Sequence, residues 1–295
     1  QHVVTPLRNM ASTNVDLESI LIGMILPGVT VGDLPAREYR KAIFGSATLQ
    51  DLPDSPRFVF NATNVQSGAL VRFSKPYIWD WRVGKVPSPT TELAVVVGAS
   101  SAFPPVLSPV TLKFKDSDFE PNSGSGLQRP PFTTRMVLTD GGVYDNLGLE
   151  TAFKRCRTLL VSDAGGQVQA EEDAAENWAS HSKRVLDLVD NQVRSLRKRQ
   201  LLDAFTSGAA EPRRTGVFWS VRSDIANYQL PDAFPAPFDR TQELARIPTR
   251  LDAMEDDLQR RLINWGYAIA DAAIRKHWDP AIAKPGDLPY PDAGI

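Results

Sequence analysis

The chain is poor in the residues that metals and crosslinks require. Among 295 residues Cys156 is the one cysteine, and His2, His181 and His277 are the three histidines. A lone thiol cannot close an internal disulfide, and scattered imidazoles supply no HxxxH or Cys/His cluster, so a disulfide scaffold and a structural zinc site are excluded. Charge of one dominant sign is also missing: 33 Lys plus Arg stand against 35 Asp plus Glu, a formal net charge of −2. That balance offers no global basic field, and nucleic acid is not an expected partner. Long hydrophobic runs are absent as well. The longest, Ile20 to Leu26, stops at Pro27-Gly28, well short of the roughly 20 residues that a membrane-crossing helix needs. The N-terminus, Gln1-His2-Val3, has neither an initiator Met nor a signal-peptide pattern, so the natural chain is expected to begin further upstream.

What is present is an ordinary folded composition, 42% hydrophobic and 23% charged. Strand-like and helix-like segments alternate, which predicts an α/β layer architecture. Arg57 to Thr63 and Ala69 to Phe73 read as two paired strands joined by the turn chemistry of Gln66-Ser67-Gly68. Glu92 to Ala102 fits a buried strand by its β-branched run, or a buried helix stopped by Pro104-Pro105, and periodicity does not separate the two. Lys115 to Pro131, rich in Ser, Gly, Pro, Asp and Asn, predicts a long, exposed, mobile loop.

Beyond it, Arg135 to Thr139 reads as a strand, Leu147 to Arg155 as a helix and Thr158 to Asp163 as a second strand, which together predict a βαβ unit with parallel, buried strands. From Val185 to Phe205 an amphipathic helix carries Val185, Leu188, Val189 and Leu196 at helical spacing, with Arg194, Arg197, Lys198 and Arg199 beside them. That cationic run suits anionic headgroups, but a solvated helix face is its commoner origin. Gly216 to Val221 predicts a further strand, Leu251 to His277 a closing helix, and the proline-rich tail after Trp278 an irregular end.

The chemistry concentrates in Leu138-Thr139-Asp140-Gly141-Gly142-Val143-Tyr144-Asp145-Asn146-Leu147-Gly148. An acidic residue closing a strand, followed by two glycines that permit φ > 0, projects a carboxylate from a sharp turn at a sheet edge, where α/β proteins place active sites. A bare Asp-Gly-Gly does no more, in most proteins, than cap a turn, with Asp145 or Asn146 capping the helix that follows. Ser100 and Ser101 either line a pocket near Asp140 or allow close packing. Ile20 to Leu26 suits a lipid-facing lid, though a buried helix is the commoner explanation. Asn61-Ala62-Thr63 fits a glycosylation sequon, but it sits in a predicted strand and is set aside.

Taken in order, Phe60-Asn61-Ala62-Thr63-Asn64, Gly68, Arg72-Phe73, Ala99-Ser100-Ser101-Ala102-Phe103-Pro104-Pro105-Val106 and Asp140-Gly141-Gly142 with Asn146-Leu147 resemble the C-terminal half of a patatin-like phospholipase domain, over Thr48 to Gly165. The resemblance implies a three-layer α/β/α fold with a mainly parallel central sheet. It implies one domain over 1–295, with a variable segment at 1–46, the recognisable core at 47–165 and a helical extension with a further strand at 166–295. It also implies a lipid acyl hydrolase working through a Ser-Asp dyad, with Asp140 as the proton acceptor of the Asp-Gly-Gly motif and Gly141 and Gly142 completing it. Neither metal nor organic cofactor is implied. The substrate is a phospholipid or another fatty acyl ester, with peripheral membrane contact, in the cytoplasm or at a membrane.

The chain departs from that family in lacking the Gly-x-Ser-x-Gly elbow and the glycine-rich oxyanion loop. Gly98-Ala99-Ser100-Ser101-Ala102 lacks the second glycine, and Gly45-Ser46-Ala47 and Ser123-Gly124-Ser125-Gly126 fail the spacing. No serine of the chain is therefore assigned as nucleophile, and the elbow is expected upstream of Gln1. Two other readings compete with the hydrolase: a catalytically inactive module that binds lipid or protein, and a phosphoryl hydrolase with Asp140, Asp145 and Asp163 holding a divalent cation.

Overall fold

The structure is a computed structural model that describes residues 3–13, 33–104, 107–166, 168–174, 176–206, 214–248 and 252–295. The segment Ile20 to Leu26 lies outside the described residues. The chain divides into two compact units, Gln1–Gly148 and Leu149–Ile295.

The first unit opens with helices α1 (Val4–Ala11) and α2 (Asp33–Tyr39) and continues through strands β1 (Phe60–Asn64), β2 (Ala69–Ser74), β3 (Tyr77–Asp80) and β4 (Gly84–Pro87). Helix α3 (Leu93–Ser100), strands β5 (Val110–Lys113) and β6 (Arg135–Asp140) and the short helix α4 (Gly142–Asp145) complete it. Six strands form one sheet in the order β4-β3-β2-β1-β6-β5. The β1–β2 hairpin pairs in the expected register, Ala62 opposite Val71 and Asn64 opposite Ala69.

The architecture mixes helices and sheet as expected, but the mainly parallel central sheet does not appear. Every neighbouring pair in the six-stranded sheet is antiparallel. The connections between β1, β2, β3 and β4 are a few residues each, and a parallel pairing needs a crossover of a dozen or more. The βαβ unit expected from Arg135 to Asp163 fails for a related reason: β6 already has β1 on one edge and β5 on the other, so no edge is left for a further strand.

One face of the sheet carries the core. Period-2 alternation puts Val71 and Phe73 of β2, and Met136 and Leu138 of β6, on the same side, and Leu93, Val96 and Ala99 of α3 cover them. The ambiguous run at Glu92 is thus a helix. It is apolar on every side because it lies between the sheet and α2, whose Ala36 packs against Gly98. The segment from Lys115 is pinned rather than free: the Glu120, Ser125 and Leu127 N–H groups donate to the carbonyls of Lys85 (2.8 Å), Trp81 (3.1 Å) and Arg82 (3.1 Å), and Phe119 is buried against Phe114. A buried polar cluster locks the turns at the same end. Asp80 accepts from Asn64 Nδ2 (2.9 Å), from Ser67 Oγ (2.5 Å) and from the Arg82 N–H (2.9 Å).

The second unit holds α5 (Leu149–Arg155), β7 (Thr158–Asp163), α6 (Trp178–Thr206), β8 (Thr215–Ser220), α7 (Phe238–Ala245) and α8 (Asp256–His277). Strand β7 pairs with β8 in parallel, and the 29-residue α6 makes the crossover between them. Trp265, Ile269 and Ala272 of α8 pack with Val217, Phe234 and Leu244, and Trp265 Nε1 donates to the Val221 carbonyl at 2.8 Å. Helix α6 does not bury its apolar stripe among the described residues. Val185, Leu188, Val189 and Leu196 are exposed, and Arg194, Leu201 and Ala204 are the buried side chains. The solvated-face reading of the cationic run therefore fails at Arg194. Arg197 pairs with Glu150 (3.1 Å), and Lys198 lies 4.6 Å above the Phe218 ring.

Candidate active site

Asp140 is the last residue of β6, which lies between β1 and the edge strand β5, and pairs with Ala62 of β1. Three backbone and hydroxyl hydrogen bonds fix it there. Its N–H donates to the Ala102 carbonyl (2.9 Å), its carbonyl accepts from Thr63 Oγ1 (2.8 Å), and the adjacent Thr139 Oγ1 also reaches Ala102 (3.0 Å). The chain leaving α3 is thus bonded to the end of β6, and Gly141 extends the contact by donating to the Ser100 carbonyl at 3.2 Å.

The turn-capping role open to Asp140 is realised: Oδ1 accepts the Gly142 N–H at 2.6 Å, which orients the half-buried carboxylate as the chain turns into α4. The two glycines serve a purpose different from the one expected of them. Gly141 is helical, with φ −62° and ψ −29°, and Gly142 is not among the positive-φ glycines. Close approach is what excludes a side chain. A Cβ on Gly141 would lie 2.5 Å from the Asn61 carbonyl oxygen, and one on Gly142 would lie 2.9 Å from Asp140 Oδ1 and 3.0 Å from Asn146 Oδ1. Positive φ enters this turn only at Gly148, at 62°.

Asp140, Gly141, Gly142 and Asn146 therefore form one cluster at the end of β6, with the Ser100 carbonyl against it. Ser101 is engaged elsewhere: its Oγ donates to the Val97 carbonyl (2.9 Å) and lies 3.0 Å from the Tyr39 hydroxyl. Asp145 is buried next in sequence, and Asp163 ends β7 in the second unit. Among the described residues no group of three His, Cys, Asp or Glu side chains is placed to hold a metal ion. Sequence reasoning missed Asn61. Its backbone abuts Gly141, and its side-chain Oδ1 is buried and accepts no hydrogen bond among the described residues. In the sequence Asn61 stands only as part of the family resemblance and of a sequon, with nothing to place it against the Asp140 turn.

Compared with models of known families, residues 9–153 match that of the patatin-like phospholipases. This part of the chain is similar to that family. The matched segment begins well before Thr48 and takes in α2, α3, the whole six-stranded sheet, the Asp140-Gly141-Gly142 turn and most of α5. At a coarse level the patatin-like family is one of hydrolases acting on lipid esters. A search of curated proteins found no match. No helix among the described residues is long and apolar enough to cross a membrane.

Proposed function

We propose that the protein is a patatin-like lipid acyl hydrolase in which Asp140 is the base of a Ser-Asp dyad. The observation that carries this is the Asp140 carboxylate, set at the end of strand β6 inside the matched segment and oriented by the Gly142 N–H at 2.6 Å. A base has to be held in position before its substrate arrives, and a backbone donor on one oxygen does so without side-chain entropy. In the proposed cycle a serine Oγ attacks the ester carbonyl carbon as its proton passes to Asp140. The alcohol leaves with that proton and an acyl-enzyme remains. Water then attacks the acyl carbon as Asp140 takes its proton, the bond to serine Oγ breaks to release the carboxylic acid, and Asp140 returns the proton to the serine.

No Gly-x-Ser-x-Gly occurs in the 295 residues, so the proposal assigns the nucleophile to chain outside them. Peripheral contact with lipid belongs to the same proposal, supported by the exposed Trp178, Leu186, Val189 and Leu196 of α6. The deciding experiment is hydrolysis of a fatty acyl ester by the natural protein and by Asp140→Asn. Loss of turnover in a folded variant is expected. Turnover at the parent rate would refute the role, and absence of turnover in the parent would favour the inactive binding module.

A further inference from the structure

The carboxyl ends of β7 and β8 open onto a cavity of about 210 Å3 in the second unit, which the proposed hydrolysis does not use. The last paired residues of the two strands, Asp163 and Ser220, stand at its floor. Crevices of this kind, at the carboxyl ends of parallel strands joined by a helix, are where α/β layers hold ligands.

The lining is cationic. Arg194 and Lys198 lie one helical turn apart on α6 and so share a face, and Arg222 follows the end of β8. Arg194 is 9% exposed. Its guanidinium lies hard against Gly165 and donates to the Gly166 carbonyl and to Asn191 Oδ1 (3.2 Å), and its nearest carboxylate oxygen, Asp163 Oδ1, is 3.8 Å away. That same oxygen accepts the Gly165 N–H at 2.9 Å. Among the described residues that line the cavity, Asp163 is the one carboxylate beside Arg194, Lys198 and Arg222, and its Oδ1 is already shared between the Gly165 N–H and Arg194. Burial, then the positive charge of Arg194, lowers the Arg222 pKa below its ordinary value. Asp163 opposes the shift and Arg246 adds to it. Excess positive charge drawn out of water costs free energy unless an anion compensates it. Ser220 Oγ accepts the Arg222 N–H at 3.2 Å, which leaves its O–H hydrogen to be donated.

We propose that this cavity binds a phosphate group, free or as a phosphomonoester, through Arg194, Lys198 and Arg222, with Ser220 as a neutral donor. Arg222 Nη2 also donates to the Ala245 carbonyl at 3.4 Å, so the guanidinium groups act mainly by their charge, and three cations with a neutral hydroxyl suit a dianion better than a monoanionic carboxylate. The volume is below the roughly 300–1,000 Å3 of sites that enclose drug-sized ligands, so a small anion or the phosphate of a headgroup fits and an acyl chain does not. The site is independent of the chemistry assigned to Asp140.

The test uses the 295-residue chain. Inorganic phosphate and glycerol 3-phosphate are titrated calorimetrically at low and at moderate sodium chloride, and sedimentation is measured with phosphatidylcholine vesicles with and without phosphatidic acid. Saturable phosphate binding is expected, at least tenfold weaker in Lys198→Met and in Arg222→Gln and weakened by salt. Binding of the soluble ligands alone identifies a free phosphate as the source. Vesicle binding that needs phosphatidic acid and is lost in the same variants identifies a headgroup. No binding to any of the probes, or binding unchanged in both variants with circular dichroism like the parent, overturns the proposal. Arg194 is left intact because it also ties α6 to Gly166.

Discussion

Gly141→Ala tests the packing beneath Asp140. The added Cβ would lie 2.5 Å from the Asn61 carbonyl oxygen and 2.9 Å from its carbon. These are backbone atoms of β1, held from both sides by β2 and β6, so no rotamer change makes room. Overpacking of this kind costs about 1–3 kcal/mol. Because Gly141 is helical, alanine also stiffens the unfolded chain and returns roughly 0.4–1 kcal/mol. Taking the middle of each range, the net is a destabilisation of about 1.3 kcal/mol, a Tm lower by roughly 3–5 °C for a unit of this size. Thermal unfolding followed by circular dichroism, with a urea midpoint as a second measure, checks it. A Tm at or above the parent value would refute the close-approach argument. Gly142→Ala is the internal contrast. Its Cβ meets the side-chain oxygens of Asp140 and Asn146, which can swing away, so Tm changes little while the carboxylate is displaced.

Further predictions concern the second unit and its acid stability. Arg275 is 6% exposed in its side chain and binds the buried Asp271 (2.8 Å) as well as the half-exposed Asp232 (2.9 Å). Arg275→Met strands the Asp271 carboxylate and costs roughly 3 kcal/mol in urea unfolding. If Arg275→Met/Asp271→Leu recovers none of this loss, the stranded charge is not its cause. Hydrogen bonds hold three carboxyl groups below their ordinary values: Arg275 acts on Asp232, Lys154 with Arg197 on Glu150, and Thr48 on Asp51. A depressed acid contributes stability that is present above its unfolded value and lost as pH falls through the folded one. The urea midpoint should therefore fall on acidification through the carboxylate range, and less steeply in Asp232→Asn. An unchanged slope in that variant would show that Asp232 carries no such linkage.

What the sequence made legible was local. The β1–β2 hairpin could be read because Gln66-Ser67-Gly68 is turn chemistry between two apolar runs, and Gly68 does take φ 68°. Asp140 could be singled out because it ends an apolar run before two glycines. What remained hidden depends on residues distant in sequence. The place of β6 between β1 and β5 is what rules out the expected βαβ unit, and nothing in Arg135 to Asp140 encodes those partners. The need for glycine at 141 comes from the Asn61 carbonyl, so the local pattern suggested positive φ where close approach was the cause. The charges of α6 were misread for the same reason. Helical spacing marks Arg194 as part of a cationic face, and only the parallel pairing of β7 with β8 turns that residue inward.

Capping a turn and serving as a base are distinct tasks for Asp140, and two substitutions separate them. In Asp140→Asn the amide oxygen can still accept the Gly142 N–H that the carboxylate holds at 2.6 Å, so the turn into α4 and the contact with the α3 end are kept. Only the capacity to take a proton is lost. Asp140→Ala removes both, and the missing cap adds about 1 kcal/mol of destabilisation. The expected pattern is a parent-like Tm without turnover for Asn, and a lowered Tm without turnover for Ala. Equal Tm losses in the two variants would show that the carboxylate charge, rather than its hydrogen-bond acceptor, holds the turn. Turnover surviving in Asn but not in Ala would assign Asp140 a positioning role and place the base elsewhere.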